Sequence, residues 1–240
     1  MKIKHLQKTT LIDYPGNIAC TIFLFGCNFK CGFCHNPELV IKEKEEHPDI
    51  SKQEVLDFLE KRKNQLEGIC ITGGEPCLSL EKDFLKKIKK KGYKIKLDTN
   101  GSFPNKLKEF FKENLIDFVS MDVKSSFDKY NNITNSKIDI EKIKKSIKAI
   151  HKNLGDLKNY EFRTTILEGF HNEEEFEKMM KDINNLLKGE KVKKFALQGF
   201  RNNGKLIDKS YYEEPNTRES YLLELKKIAE PYCEKVEIRR

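Results

Sequence analysis

Short runs of β-branched and aromatic residues alternate with longer segments of helical period along the whole chain, and this alternation most limits the possible folds. It predicts a mainly parallel sheet covered by helices, because parallel neighbours need a crossover connection between them. Strands are predicted at residues 19–25, 68–72, 93–98, 117–123, 160–166 and 194–198, with a seventh short strand at 235–238.

Six apolar stripes with helical spacing lie between or after these strands. The first begins at a capping box formed by Ser51 and Glu54. Six strand and helix units fall short of the eight of a complete barrel, so the pattern fits an incomplete barrel or an open doubly wound sheet. The length of 240 residues suits one core, and we expect a single domain over residues 1–240.

Polar or glycine-rich motifs follow nearly every predicted strand at its C-terminal end. In parallel α/β folds these ends meet at one edge, where such proteins assemble their sites. In chain order the motifs are the cysteine loop, Thr72-Gly73-Gly74-Glu75-Pro76, Asp98-Thr99-Asn100-Gly101, Asp122-Val123-Lys124, Arg163-Thr164-Thr165 and Gln198-Gly199-Phe200-Arg201. The sequence therefore predicts one site at this edge.

The cysteine loop contains Cys27, Cys31 and Cys34 at CxxxCxxC spacing, which predicts a metal site. Thiolate sulfur suits iron-sulfur clusters and zinc. A [4Fe-4S] cluster takes one thiolate per iron, so three cysteines would leave one iron open. Alternatively, His35 would complete a zinc site as the fourth ligand, and residues 31–35 also match the CxxCH motif of haem attachment.

The iron-sulfur cluster is favoured over zinc and haem. Structural zinc sites usually pair two distant ligand knuckles, which this chain lacks, and covalent haem attachment requires export. The other four cysteines do not extend the motif, and Cys77, directly after GGEP, is expected to be a small buried residue. The remaining histidines show no partner pattern and are expected at the surface or at caps; they are His5, His47, His151 and His171.

Composition predicts a cytoplasmic protein with no membrane and no nucleic-acid partner. The N-terminal residues lack the apolar run of a signal peptide, and seven cysteines are too few for a disulfide scaffold. The longest apolar stretch, residues 18–26, is about half of a membrane span. The net charge is +8, with lysines clustered at 86–96, but most of these lysines are expected on solvated helix faces.

Several polar and glycine residues suit the binding of a charged ligand. Gly73 and Gly74 would let backbone groups approach it closely, although an ordinary turn is the alternative. Asp122 and Lys124 lie two residues apart on one strand and offer both charges on one face; the alternative is an ion pair. Arg163 is a single arginine in a predicted strand, and it too would either bind a ligand or form an ion pair.

The CxxxCxxC motif with Phe33 before its last cysteine, followed by GGEP after the next strand, resembles the radical S-adenosylmethionine (SAM) superfamily. The resemblance implies an incomplete (β/α)6 barrel of the radical SAM type. It also implies a [4Fe-4S] cluster on Cys27, Cys31 and Cys34 whose open iron is chelated by SAM. Reductive cleavage of SAM in that family gives methionine and a 5'-deoxyadenosyl radical.

The same resemblance implies which residues contact the cofactors. They are Phe33, His35, Gly73, Gly74, Glu75, Pro76, Asp98, Thr99, Asn100, Asp122, Lys124, Arg163, Gln198 and Arg201. A monovalent cation near Asp98 is also implied by the likeness to enzymes that activate glycyl-radical enzymes. The chain departs from pyruvate formate-lyase activating enzymes at residues 197–201, which read LQGFR instead of an LPFH-like segment with a histidine.

The segment LIDYPG at residues 11–16 resembles the longer type of anaerobic ribonucleoside-triphosphate reductase activating protein. This resemblance implies a glycyl-radical enzyme as protein substrate and a flavodoxin- or ferredoxin-type reductant. Three alternatives stay open. They are a pyruvate formate-lyase-type activating enzyme, a radical SAM enzyme for a small molecule, and a non-catalytic zinc or iron-sulfur module.

Overall fold

The structure is a computed structural model that describes residues 1–42, 48–155 and 159–239. His47 lies outside these ranges. Within them the strands are β1 Ile3–Thr10, β2 Ala19–Leu24, β3 Gly68–Gly73, β4 Lys94–Thr99, β5 Phe118–Asp122, β6 Tyr160–Ile166, β7 Phe195–Gly199 and β8 Val236–Arg239. The helices are α1 Pro37–Val40, α2 Lys52–Lys61, α3 Lys82–Lys90, α4 Pro104–Lys112, α5 Tyr130–Thr134, α6 Ile140–Asn153, α7 Glu173–Leu186 and α8 Glu219–Ala229.

The strands pair in chain order from β1 to β8, so β1 and β8 are the two edges of the sheet. β1 is antiparallel to β2, whereas β2, β3 and β4 are parallel to one another. β6, β7 and β8 are also parallel. This order confirms the predicted α/β fold with a mainly parallel sheet that does not close on itself.

Most elements agree closely with the sequence-based expectations. β6 begins and ends as predicted, and the other predicted strands agree within one residue at each end. The capping box at Ser51 and Glu54 is present at the start of α2. β1 was not predicted, because its sequence IKHLQKTT mixes charged and polar residues without an apolar run. α1 and α5 span four and five residues, too few to show a helical period.

The chain groups into two compact units, which we describe separately. The first unit comprises Met1–Asn28, Asn36–Thr99 and Asn105–Val119, and the second comprises Phe29–His35, Asn100–Pro104 and Ser120–Arg240. The single domain expected from the sequence stays a prediction. In the described ranges, no helix combines the length and the apolar character needed to cross a membrane.

The first unit is built around the parallel strands β2, β3 and β4. Leu24, Ile71 and Leu97 are fully buried in this sheet, and α3 packs against both α2 and β4. Because the three strands run in the same direction, their C-terminal ends lie at the same edge of the unit. The GGEP and DTNG motifs begin at that edge.

A buried cluster of charges connects β5, β6 and β8 in the second unit. Glu161 is 1% exposed and accepts hydrogen bonds from Arg239 at 2.8 and 2.6 Å and from the hydroxyl of Ser120 at 2.8 Å. The ammonium of Lys194 lies 3.3 Å from its second oxygen. Burial acts to raise the pKa of Glu161, but Arg239 and Lys194 outweigh it and lower the pKa to about 2. The carboxylate therefore stabilises the fold in its charged form.

We expect Glu161→Gln to lower the free energy of unfolding at neutral pH by about 3 kcal/mol, because it removes the charge of a buried carboxylate that Arg239 and Lys194 share. Urea denaturation measures this loss. Since folding lowers the pKa of Glu161 from 4.5 to about 2, the advantage of the wild type is complete above pH 4.5 and shrinks as the pH falls towards 2. The control is Glu177→Gln, whose carboxylate is 46% exposed in an ion pair with Lys181; equal losses from both variants would contradict this account.

Candidate cofactor-binding residues

The three cysteines of the CxxxCxxC motif lie between β2 and α1. Cys27 belongs to the first unit, whereas Cys31 and Cys34 belong to the second, where the N–H of Cys34 donates to the carbonyl of Cys31 at 3.1 Å. None of the seven cysteines, all of which the structure describes, forms a disulfide. Burial raises the pKa of Cys31 to about 11 although the ammonium of Lys124 acts to lower it. Metal binding would have to displace this proton.

The donor set fits an iron-sulfur cluster by its chemistry, because it offers three thiols and soft sulfur ligands suit iron-sulfur clusters. The other cysteines are at most 4% exposed and lie in the core; they are Cys20, Cys70, Cys77 and Cys233. Among the described residues, no three His, Cys, Asp or Glu side chains are gathered as they would be around a bound metal. The ligand roles of the three cysteines therefore depend on the motif and stay predictions.

Two glycines let the end of β3 approach the chain after β2 within the first unit. A Cβ on Gly73, where φ is 121°, would lie 2.3 Å from the carbonyl oxygen of Leu24, and a Cβ on Gly74 would lie 2.2 Å from the carbonyl oxygen of Gly26. The N–H groups of Gly74 and Glu75 donate to these two carbonyls at 2.9 and 2.7 Å. The glycines thus permit a contact between two backbones. Their contact with a cofactor stays a prediction.

The carboxylate of Glu75 is fully buried and connects the ends of β3 and β4. It accepts hydrogen bonds from the N–H of Cys77 at 2.9 Å and from the hydroxyl of Thr99 at 2.8 Å. Pro76 begins the 3-10 turn that follows. Cys77 is 1% exposed, as expected, and burial together with the neighbouring Glu75 raises the pKa of its thiol well above the ordinary value. The thiol is therefore protonated and unreactive.

Asp98 lies near the end of β4 and forms an ion pair with Lys96, which precedes it by two residues and shares its face of the strand. The hydroxyl of Thr72 donates to the other carboxylate oxygen at 3.2 Å. Lys96 is only 3% exposed. Lys96 is therefore not among the lysines of residues 86–96 that lie on solvated helix faces, and it lies in a strand, as predicted for residues 93–98. Its spacing of two from Asp98 in a predicted strand was the signal that could have revealed the pair.

Asp122 ends β5 and lies between two cations in the second unit. The Nε of Arg163 is 2.5 Å from one carboxylate oxygen, and the Nζ of Lys124 is 2.9 Å from the other. Burial acts to raise the pKa of Asp122, but Arg163 and Lys124 hold it below its ordinary value. Burial acts to lower the pKa of Lys124, but Asp122 raises it. For these three residues the sequence left two interpretations, an ion pair or contact with a ligand. The ion pairs are present, and contact with a ligand stays a prediction.

The segment after β7 packs on the second half of the cysteine loop, within the second unit. A Cβ on Gly32 would lie 2.4 Å from the ring of Tyr211, and the carbonyl of Gly32 accepts from the N–H of Asp208 at 3.0 Å. The ring of Phe33 is buried, with its centroid 5.9 Å from that of Tyr211 and 5.8 Å from the Nζ of Lys124. Tyr211 was not predicted, because a tyrosine in a polar segment gives no pattern.

The other predicted contacts lie on loops and strand ends of the second unit. The Nε2 of His35 is 2.7 Å from the carbonyl oxygen of Arg201. The side chains of Gln198 and Arg201 are exposed. Asn100 is buried, and its side-chain oxygen accepts from the N–H and the hydroxyl of Ser102 at 3.0 and 2.6 Å, which forms a tight turn. Their cofactor contacts stay predictions.

His171 is fully buried, so its expected place at the surface or at a cap is wrong. Its Nε2 lies 2.8 Å from the carbonyl oxygen of Lys124, and its Nδ1 accepts from the N–H of Leu167 at 3.1 Å. Burial lowers the pKa of His171 to about 4, so the ring is neutral at pH 7 with its proton on Nε2. The ring thereby holds the main chain that follows Asp122. A single histidine outside any motif offers no sequence signal for this role.

A family model described as the Radical SAM superfamily matches residues 21–183, more than half of the chain. The chain therefore belongs to the radical SAM superfamily, which confirms the family predicted from the cysteine and GGEP motifs. Membership implies a [4Fe-4S] cluster and SAM as cofactors, in agreement with the donor set of the cysteine loop.

Relatives and solved structures add detail. A Methanocaldococcus jannaschii protein, named as a candidate glycyl-radical enzyme activating enzyme, is 35% identical over 236 residues, which cover 95% of this chain and 91% of that protein. A pyruvate formate-lyase-activating enzyme of Clostridium pasteurianum is 30% identical over 131 residues, covering 51% of this chain and 52% of that enzyme. The structure of TYW1 with a lysine-pyruvate adduct bound aligns with a TM-score of 0.57 at 16% identity, over 90% of this chain and 73% of that one, and supports the fold alone.

Gly74→Ala tests the backbone contact at the end of β3. The new Cβ would overlap the carbonyl of Gly26, and since backbone atoms cannot rotate away, we expect a loss of about 2 kcal/mol in the free energy of unfolding. The iron content of anaerobically purified protein should fall as well, because Cys27 directly follows Gly26. The control is Gly169→Ala, whose Cβ would lie at an ordinary 3.6 Å from Glu214. Unchanged stability and iron content in Gly74→Ala would refute this interpretation.

His171 should make stability depend on pH. Because folding lowers its pKa from 6.5 to about 4, its contribution is complete above pH 6.5 and is lost as the pH falls to 4. The loss would be up to about 3 kcal/mol, measured by urea denaturation of the metal-free protein. His171→Gln should be less stable at pH 6.5 and should change less between these two pH values. His5→Gln, at an exposed histidine, should keep the full pH dependence; an unchanged slope in His171→Gln would rule out this role.

Proposed function

We propose that this chain is a glycyl-radical enzyme activating enzyme, which removes a hydrogen atom from a backbone glycine of a partner enzyme. The observation that carries the proposal is the 35% identity, over 95% of this chain, to a protein named as an activating enzyme of this kind. Family membership and the similarity to a pyruvate formate-lyase-activating enzyme support it.

In the proposed enzyme, the bound cluster and SAM supply electron transfer and hydrogen-atom abstraction. The chain supplies binding and orientation. Cys27, Cys31 and Cys34 would hold the cluster through thiolates, with no fourth protein thiolate in the motif. Asp122 and Lys124 would present an anion and a cation to the zwitterionic methionine part of SAM. Phe33 is buried against Tyr211 and Lys124 and would help to exclude water.

The ion pairs around Asp122 support this assignment because they fix the charges before a ligand arrives. Arg163 and Lys124 keep Asp122 ionised, as the lowered pKa of this carboxyl indicates. His171 holds the carbonyl of Lys124 at 2.8 Å. A ligand that carries both charges would therefore meet groups that are already oriented, and orientation in advance reduces the cost of binding.

The proposed partner is an anaerobic ribonucleoside-triphosphate reductase, with the resemblance of the segment at residues 11–16 as its support. In the structure this segment connects β1 to β2, with Tyr14 buried and Leu11 and Ile12 exposed at 72% and 84%. A pyruvate formate-lyase-type partner is the second candidate, favoured by the match to the Clostridium pasteurianum enzyme. We place the enzyme in the cytoplasm, with a small acidic flavodoxin- or ferredoxin-type reductant that would suit the net charge of +8.

The test combines the anaerobically reconstituted chain with SAM, a reductant and one of the two candidate partners. We expect a glycyl-radical doublet in electron spin resonance, together with 5'-deoxyadenosine and methionine, only with the correct partner. Cys34→Ser should reduce both signals to background because it removes a cluster ligand. Cys233→Ser, at a core cysteine that is 4% exposed and outside the motif, is the matched control and should keep both signals.

Two results would reject the proposed function. Deoxyadenosine without a radical on either partner would favour a radical SAM enzyme for a small molecule. Zinc without iron in the anaerobically purified protein would favour a non-catalytic metal module.

A further inference from the structure

The first unit buries a lysine beside Asp98, the carboxylate near which the family resemblance implies a monovalent cation. Lys96 is 3% exposed, and its ammonium forms an ion pair with one oxygen of Asp98. The other oxygen accepts a hydrogen bond from the hydroxyl of Thr72 at 3.2 Å. A cation is therefore already in contact with this carboxylate, and it is covalently part of the chain.

The position of Lys96 follows from the strand that carries it. Residues two apart on a strand project to the same face, so Lys96 and Asp98 of β4 are neighbours. On the adjacent β3, Cys70 is the register partner of Lys96, and its Sγ lies 3.7 Å from the ammonium. The sulfur of Cys70 and the hydroxyl of Thr72 thus lie beside the ion pair of Lys96 and Asp98.

The ion pair of Lys96 and Asp98 disfavours a second cation at the same carboxylate. A buried ammonium requires a counter-charge, and Asp98 provides it. The negative charge of Asp98 is then balanced inside the first unit, so a monovalent metal ion at the same carboxylate would meet a fixed positive charge at contact distance. The monovalent cation that the family resemblance implies near Asp98 does not fit these charges.

We propose that Lys96 is a built-in cation for Asp98, so that this chain binds SAM without a monovalent metal ion at that carboxylate. The SAM part of this inference depends on the proposed function, whereas the part about the cation does not. Lys96 acts as a positioning residue, because it fixes the charge and the orientation of Asp98.

The first experiment uses the reconstituted wild-type holoprotein in potassium, sodium or choline chloride at equal ionic strength. We expect the same midpoint of thermal unfolding in all three salts, and a SAM dissociation constant, measured by equilibrium dialysis, that agrees within about twofold. A saturable rise of the midpoint or of the SAM affinity with potassium or sodium over choline would overturn the proposal. If SAM fails to bind in every salt, the proposed function fails, and the unfolding midpoints still decide the question of the cation.

The second experiment removes the ammonium and offers a replacement. Lys96→Ala opens space beside Asp98, so we expect SAM to bind about tenfold more weakly in choline chloride and to recover in potassium or ammonium chloride, with a parallel rise of the unfolding midpoint. Lys96→Met fills the same space without a charge and should show the loss without the recovery. The matched control is Lys94→Ala on the same strand, whose exposed Nζ bonds Asn17 at 2.9 Å; it should behave like the wild type in every salt.

Measurements on these variants can also contradict the proposed role of Lys96. Equal recovery of Lys96→Ala and Lys96→Met in potassium would indicate a general salt effect and would reject a local cation position. A folded Lys96→Ala that binds SAM as tightly as the wild type in choline would show that Asp98 needs no cation. If Lys96→Ala does not fold, the wild-type salt comparison alone decides the proposal.

Discussion

The close approach of two backbones at the end of β3 is the contact on which the first unit depends. The N–H groups of Gly74 and Glu75 donate to the carbonyls of Leu24 and Gly26, and no side chain fits between these segments. This contact fixes the chain after β2 as far as Gly26, the residue before Cys27. It also turns Glu75 inward, where its carboxylate bonds the hydroxyl of Thr99 at the end of β4. Three strand ends of the unit are thereby connected by main-chain and buried polar contacts.

The charged residues near the strand ends are balanced within their own units. Asp98 has Lys96 in the first unit, and Asp122 has Arg163 and Lys124 in the second. The carboxylate of Asp122 stays ionised at neutral pH, because Arg163 and Lys124 outweigh the cost of burial and lower its pKa. A site for a zwitterionic cofactor is expected to hold its charged groups in place before the ligand binds. A ligand at Asp122 would have to rearrange or extend ion pairs that already exist.

Much of the fold could be predicted from the sequence, because buried parallel strands have a strong apolar signal. β6 agrees with its prediction at both ends, and GGEP lies at the end of β3 as expected. β1 was missed because a polar edge strand has no apolar run. Motifs likewise revealed the cysteines and the family, since their spacing is set by local chemistry. The ion pair of Lys96 with Asp98 was missed although the two residues share a strand face, because a spacing of two does not reveal that the lysine is buried. His171 was missed because its partner, the carbonyl of Lys124, lies on a distant segment.

The family match includes the motif residues but ends before the segment that packs on the cysteine loop. The match covers residues 21–183 and includes the three cysteines, GGEP, Asp98, Asp122 and Arg163. The segment that packs on Gly32 and Phe33 lies beyond it, with Asp208 and Tyr211 as its contacts. A loop carried on a rigid sheet can vary without disturbing the residues that bind cofactors. Gly32 constrains this loop all the same, because any Cβ there would overlap the ring of Tyr211. A side chain at position 32 would have to displace Tyr211, so the cysteine loop and this segment constrain each other.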